Sequence, residues 1–171
     1  TVAARNPGTW GDGLRVGIGG GSVCTTRVQT GFGIPNVTAI QNCINYDKVP
    51  IMADGGLRSS GDMAKALAVG ANCVMLGSLL AGTTESPGSI KVDEYGNRTK
   101  LFRGSASLSI KKSNNQEQRN IEGESTVIPY KGSAQNIILQ LLDGIRSAFS
   151  YTGAMNINEY HDDVEFVRVT N

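Results

Sequence analysis

The sequence predicts an α/β protein built on a parallel sheet, and three observations carry that prediction. Short, largely apolar runs recur at Leu14–Ile18, Val49–Ala53 and Cys73–Leu76, the pattern of strands buried on both faces. Stretches with helical apolar spacing separate them, as in strand–helix–strand units. Each run is followed closely by glycines, at Gly19-Gly20-Gly21, Asp54-Gly55-Gly56 and Gly77-Ser78, where the chain must turn.

Taken in order, Thr1 to Trp10 has no clear period and carries a turn signal, Asn6-Pro7-Gly8, so it reads as a loop. The first strand then runs into a glycine-rich loop. Pro35 is placed at the first turn of a helix whose apolar face, Val37, Ala39, Ile40 and Ile44, extends to about Tyr46. After the second strand, Ser59 or Ser60 caps a helix over Gly61–Val69. Met63, Ala66, Leu67 and Ala68 give it a narrow, small-residue face, and Gly70 closes it. The third strand is followed by a short helical stretch, Leu79 to Ala81.

Beyond Thr83 the pattern changes. Ser89–Val92 and Thr99–Phe102 flank Asp93-Glu94-Tyr95-Gly96-Asn97, a hairpin signal. Residues 111–124 are polar throughout and read as a mobile flap, having too little apolar area to be rigid alone. Gly132-Ser133 opens the longest helix, with Ile137, Ile138, Leu141, Leu142, Ile145, Ala148 and Phe149 at helical spacing, and Tyr151-Thr152-Gly153 ends it. Val164, Phe166 and Val169 suggest a small terminal strand. No internal repeat or linker divides the 171 residues, so they are read as part of one domain.

Composition narrows the function. A net charge of +1, with no basic stripe, gives no electrostatic basis for binding nucleic acid or an anionic membrane surface. There is neither a membrane-length apolar run nor a signal-peptide layout, which predicts a cytoplasmic protein. The three cysteines, Cys24, Cys43 and Cys73, are odd in number and lack C-x-x-C spacing, which argues against a disulfide framework or a zinc site. His161 is the single histidine and lies near the C-terminus, which argues against Cys-His and Ser-His-Asp arrangements.

The chemistry concentrates in Gly17-Ile18-Gly19-Gly20-Gly21-Ser22-Val23-Cys24-Thr25-Thr26-Arg27. Bare glycine amides and carbonyls can approach an ion or a phosphate, and Ser22, Cys24 and Thr26 follow on the same loop. The dinucleotide fingerprint fails because Ser22 stands where its third glycine belongs, and the nucleotide-hydrolase loop fails for want of a lysine. Left to itself the loop also reads as a glycine turn around an inert cysteine. Nearby Arg27 would lower the Cys24 thiol pKa, whereas Cys43 on a helix and Cys73 on a buried strand read as core residues. Asp54 at the end of an apolar strand needs a polar partner, either a ligand or the amides of its own Gly55-Gly56 turn. Ser22 and Ser78 read equally well as turn or helix caps.

The Cys24 loop, Ala53-Asp54-Gly55-Gly56, Val74-Met75-Leu76-Gly77-Ser78, Glu122-Gly123 and Tyr130-Lys131-Gly132 resemble, in this order, segments of the IMP dehydrogenase and GMP reductase family. The resemblance implies a (β/α)8 TIM barrel of which the strands here are the last three, so that the chain would be the C-terminal half of a catalytic barrel. Three parallel strands cannot close a barrel. The first half, or other subunits, must then be partners, and an exposed strand edge is expected without them.

For function, the resemblance implies a purine nucleotide oxidoreductase with Cys24 as the nucleophile toward C2 of the base, Ser22, Gly77 and Ser78 at the phosphate, Asp54 on the ribose and Gly56 among the substrate-binding residues. It implies that Thr26 and Glu122 form a proton relay and that Arg119 and Gly123 contact the nucleotide. The flap lacks the Arg-Tyr pair of the dehydrogenase, and Arg119-Asn120-Ile121-Glu122-Gly123 resembles the reductase pattern. The expected reaction is therefore reductive deamination of GMP to IMP with NADPH. The alternatives are IMP dehydrogenase with NAD, and a catalytically silent nucleotide-binding remnant. Against the reductase, Ser78 stands where its members usually carry glycine, and residues 102–107 depart from both patterns, lacking the methionine usual under the base. The resemblance also implies a homotetramer and, for the dehydrogenase, potassium on the carbonyls of Gly19, Gly21 and Cys24.

Overall fold

The computed structural model describes residues 13–44 and 49–170. The loop read at Thr1–Trp10 and the end of the helix at Tyr46 lie outside them. Three strands, β1 (Leu14–Val16), β2 (Ile51–Asp54) and β3 (Cys73–Met75), form a parallel sheet in sequence order, with Val16 opposite Ala53 and Asp54 opposite Met75. Their alternation is clean. Val16, Ile51 and Ala53 are buried, while Arg15, Cys73 and Met75 on the other face are exposed. This corrects the expectation of strands covered on both sides and of Cys73 as a core residue: helices cover one face of the sheet only, and nothing among the described residues covers the other.

Two helices lie between β1 and β2 in sequence. The first, α1 (Thr26–Thr30), was not foreseen. It is a five-residue turn of helix leaving the Cys24 loop and ends at Gly31 in the left-handed conformation. Next, α2 (Asn36–Gln41) starts after Pro35 as expected but is shorter than its pattern, passing into a turn in which the Cys43 and Ile44 amides both donate to Ile40 O.

The helix after β2, α3 (Ser60–Ala68), is capped by Ser59, whose hydroxyl accepts from the Asp62 amide at 3.1 Å. Its buried surface is wider than the predicted stripe, taking in Met63, Ala64, Ala66, Leu67 and Ala68. The reason is position: α3 is packed on the sheet and α2 and also under two C-terminal helices. One core gathers Val16, Ile40, Ile51, Ala53, Ala66 and Val69; a second gathers Leu67, Ala68, Ala154 and Tyr160.

Leu79–Ala81 is a single hydrogen-bonded turn instead of a helix, with the Leu80 and Ala81 amides both donating to Gly77 O. The hairpin forms as β4 (Lys91–Val92) and β5 (Arg98–Arg103), closed by Asp93, whose carboxylate accepts from the Tyr95 and Asn97 amides. A strand that the sequence reading missed, β6 (Ser125–Pro129), adds to β5 antiparallel. Between them α4 (Leu108–Ser113), also missed, takes in the first residues of the expected flap.

The longest helix, α5 (Ala134–Thr152), has the predicted limits, with Ser133 at its N-cap and Gly153 left-handed after it. The expected strand at Val164–Val169 is absent: among the described residues these pair with no strand. A further helix, α6 (Ile157–Asp163), precedes them, and its Tyr160 ring stacks on Phe149 of α5 with centroids 4.2 Å apart. Stacked pairs of this kind contribute about 0.5–1.5 kcal/mol beyond area burial.

Glu85 reinforces the start of α5. Its carboxylate accepts from the Ala134 amide at 2.8 Å and from the Ser133 hydroxyl at 3.0 Å, and the Ala134 amide is the main cause holding its carboxyl below the ordinary value of 4.5. A depressed carboxyl contributes stability that is present above its unfolded value and lost as pH falls through its folded value. Thermal unfolding of the wild type should therefore lose its advantage over Glu85→Gln as pH drops below about 4.5, the two curves converging in acid. Parallel curves from neutral pH downward would remove this role.

Candidate active site

The site lies where the three parallel strands end, the usual place for ligands in such sheets. Gly17 follows β1, Asp54 ends β2, and Gly77 lies two residues beyond β3. Two close backbone approaches fix the cleft. Gly17 has φ +134°, and a Cβ there would lie 2.0 Å from Asp54 O, so the β1 and β2 ends meet only because residue 17 is glycine. At Gly123 a Cβ would meet the Ser107 amide at 3.0 Å.

Segment 122–124 lies between the Cys24 loop and the end of β5. On one side the Thr25 amide donates to Glu122 O and the Glu124 amide to Val23 O, each at 2.9 Å. On the other, Glu122 donates to Ala106 O and Gly104 to Glu124 O. Residues distant in sequence are thereby held beside Cys24.

The resulting chain of donors is short and directional. Cys24 Sγ donates to Thr26 Oγ1 at 3.1 Å, and Thr26 Oγ1 donates to Glu122 Oε2 at 2.7 Å. All three side chains are half-buried and line a cleft of about 530 Å³. That volume falls within the range of small-ligand sites.

Of the residues predicted for the site, Gly19, Gly21, Ser22, Cys24, Thr26, Asp54, Gly56, Gly77, Ser78, Glu122 and Gly123 all line this cleft. Arg119 does not. Its guanidinium is exposed and pairs with Glu117 at 2.9 Å, away from the residues that line the cleft. Arg27 is also displaced from its expected role beside the thiol, because its guanidinium is spent on the carbonyls of Ile18 and Ile34, each at 3.0 Å, where it braces the glycine loop.

Asp54 is met by Arg15, with Nε 3.5 Å from Oδ2; its other carboxylate oxygen is not engaged by that arginine. Arg15 was missed by the sequence reading, and strand alternation was the available signal: at i+1 between Leu14 and Val16 it had to face away from the core. Asn36 ties α2 to the same corner, its Nδ2 donating to Asp54 O at 3.0 Å and also to Gly55 O.

No group of three or more His, Cys, Asp or Glu side chains converges as a metal site among the described residues. A cation held by backbone carbonyls is a separate matter. Gly21 O already accepts from the Cys24 amide at 3.1 Å, leaving it one lone pair.

Fold and site together define a class: a parallel α/β protein carrying a thiol–hydroxyl–carboxylate series in a glycine-lined cleft at its strand ends. The family model described as "IMP dehydrogenase / GMP reductase domain" matches residues 8–171, and the chain belongs to that family. It is 44% identical over 172 residues to an inosine-5'-monophosphate dehydrogenase of Helicobacter pylori, covering 93% of this chain and 36% of that protein. It is 42% identical to the Nitrosopumilus maritimus protein of the same name, with the same coverage.

Among solved structures it is similar to a GMP reductase variant from Trypanosoma brucei in complex with guanosine 5'-monophosphate. That match has a TM-score of 0.85 and 41% identity, over 93% of this chain and 34% of that one. The chain thus spans about a third of the length of the relatives it matches and corresponds to part of their barrel. No helix among the described residues is long and apolar enough to cross a membrane.

Proposed function

We propose that the cleft binds a purine nucleoside monophosphate and that Cys24 attacks C2 of its base, within a purine nucleotide oxidoreductase completed by further chain or by other subunits. The observation that carries this reading is the series Cys24 Sγ–Thr26 Oγ1–Glu122 Oε2. Its hydrogen bonds run from thiol to carboxylate. A proton leaving sulfur can pass through Thr26 to Glu122, giving the thiolate that a covalent step requires. The same proton, returned through Thr26, serves a departing amine. One relay therefore activates the nucleophile and protonates the leaving group. A catalytically silent remnant would have no use for it.

Around this relay, Ser22, Gly56, Gly77 and Ser78 take the phosphate and Asp54 takes the ribose hydroxyls. Gly123, bare of a side chain, leaves room for the base beside Cys24. Ile18 and Met75 are exposed at the cleft and offer an apolar surface for a flat ring. A nicotinamide cofactor, NADPH or NAD, supplies or takes the hydride when bound there. If potassium binds, the carbonyls of Gly19, Gly21 and Cys24 are part of its shell, and other oxygens must complete it.

Two reactions fit the relay. The names of the curated relatives favour IMP dehydrogenase with NAD. The chemistry of residues 111–124, which we take as the flap, favours GMP reductase with NADPH. Hydrolysis of an adduct needs a base for water, and no Arg-Tyr pair is present there. Reductive release of ammonia needs only the relay. On the sequence of this flap we place the reductase reaction first.

The full-length homo-oligomer, assayed in parallel with GMP plus NADPH and with IMP plus NAD, is expected to consume NADPH and release ammonia. Sustained NADH formation from IMP, with no NADPH loss on GMP, would assign the dehydrogenase instead. Inertness in both, with no nucleotide protection of Cys24 from iodoacetamide, would overturn the proposal as a whole.

A further inference from the structure

We infer that Lys131 is a positioning residue for the phosphate grip, holding the turn after β3 by its carbonyls from outside the cleft. The inference rests on the reading of Gly77 and Ser78 as phosphate ligands. The turn makes few bonds of its own, since Gly77 O accepts from Leu80 and Ala81. Leu80 O accepts from the Thr83 amide and hydroxyl, and three further carbonyls, of Ser78, Leu79 and Gly82, are taken by one residue. Lys131 Nζ donates to Ser78 O at 2.7 Å and to Leu79 O at 3.3 Å, and the Lys131 amide donates to Gly82 O at 2.9 Å. Main chain and side chain of Lys131 therefore hold both ends of the turn, and the Thr84 amide, donating to Gly132 O at 2.8 Å, keeps the two segments side by side.

Peptide geometry supplies the link to the ligand. Across a trans peptide the N–H points opposite to the C=O, so anchoring Ser78 O toward Lys131 aims the Leu79 amide away from it. The amides of Gly77, Ser78 and Leu79 have no acceptor among the described residues, and Gly77 and Ser78 line the cleft while Lys131 does not. Successive amides left free in this way suit an anion. Lys131 is exposed, and partial desolvation of its ammonium beside these carbonyls lowers its pKa from the ordinary value. Lys100 makes a useful contrast. It is 2% exposed and donates to Thr83 O at 2.8 Å and to Ser86 O, on a stretch that does not line the cleft.

The test compares binding of GMP and of guanosine to the full-length protein by calorimetry, in wild type, Lys131→Met, Lys131→Gln and Lys131→Arg. Loss of the carbonyl anchor should weaken GMP roughly tenfold in Lys131→Met, leaving guanosine within about twofold. Arginine and glutamine, which keep donors for the carbonyls, should restore most of the GMP affinity.

Equal weakening of nucleotide and nucleoside, or no weakening of either, would overturn the Lys131 role. So would a glutamine variant as weak in GMP as methionine, because the charge and not the anchor would then matter. If Lys131→Met fails to fold, Lys131→Ala, which also lacks a donor for the carbonyls, takes its place and the same ratio decides. Failure of the wild type to prefer GMP over guanosine would instead overturn the phosphate assignment itself, and the Lys131 role with it.

Discussion

Replacing Cys24 by alanine in the full-length enzyme is expected to remove turnover by about 10⁴–10⁶-fold while GMP or IMP still binds within a few-fold of wild type. Among the described residues Cys24 is the one cysteine lining the cleft, and its thiol is linked through Thr26 to a carboxylate. Among the described residues its side chain makes a single hydrogen bond, to Thr26. Removing it takes away the reaction and little of the binding surface. Serine should rescue poorly, because a hydroxyl keeps the hydrogen bond but does not ionise as a thiol does. Steady-state rates with calorimetric affinities check the prediction, and intact-mass measurement under turnover should find an adduct on wild type only. An alanine variant retaining more than about a hundredth of the activity would mean that covalent attack by Cys24 is not the path.

Breaking the relay should cost about 10²–10⁴-fold in kcat with KM nearly unchanged. Glu122→Gln is the sharper variant. Its backbone bonds to Thr25 and Ala106 are kept, so segment 122–124 stays paired with the Cys24 loop, and what is lost is the carboxylate proposed to receive the proton. Thr26→Val interrupts the same path one atom earlier, and Thr26→Ser should restore it. Because the two residues act in series, the double variant should be scarcely slower than the worse single one. Additive losses would indicate two independent roles. A rise in KM with kcat intact would make Glu122 a binding group instead.

Much of this protein was legible in its sequence because the signals were local. Three apolar runs each ending near glycine specified the strands and their helices. Ser59, Ser133 and Gly153 marked helix ends through their own side-chain or backbone chemistry. The glycine loop announced a binding site, and the resemblance named the family that the family model then showed.

What failed was non-local. Cys73 looked buried because an apolar strand does not say how many of its faces are covered. The terminal segment alternated like a strand but finds no partner edge among the described residues, and β6, exposed and only half apolar, became a strand because β5 was there to pair with it.

The same division runs through the site. Sequence alone determined that a thiol, a hydroxyl and a carboxylate were available, at Cys24, Thr26 and Glu122. Tertiary structure decided that Glu122, 96 residues from Thr26, lies 2.7 Å away from it. It also decided that Arg119 points to solvent and that Arg27 braces a loop. A long charged side chain takes its partner from whichever carbonyl or carboxylate the fold brings within reach. Spacing along the chain carries no record of that distance.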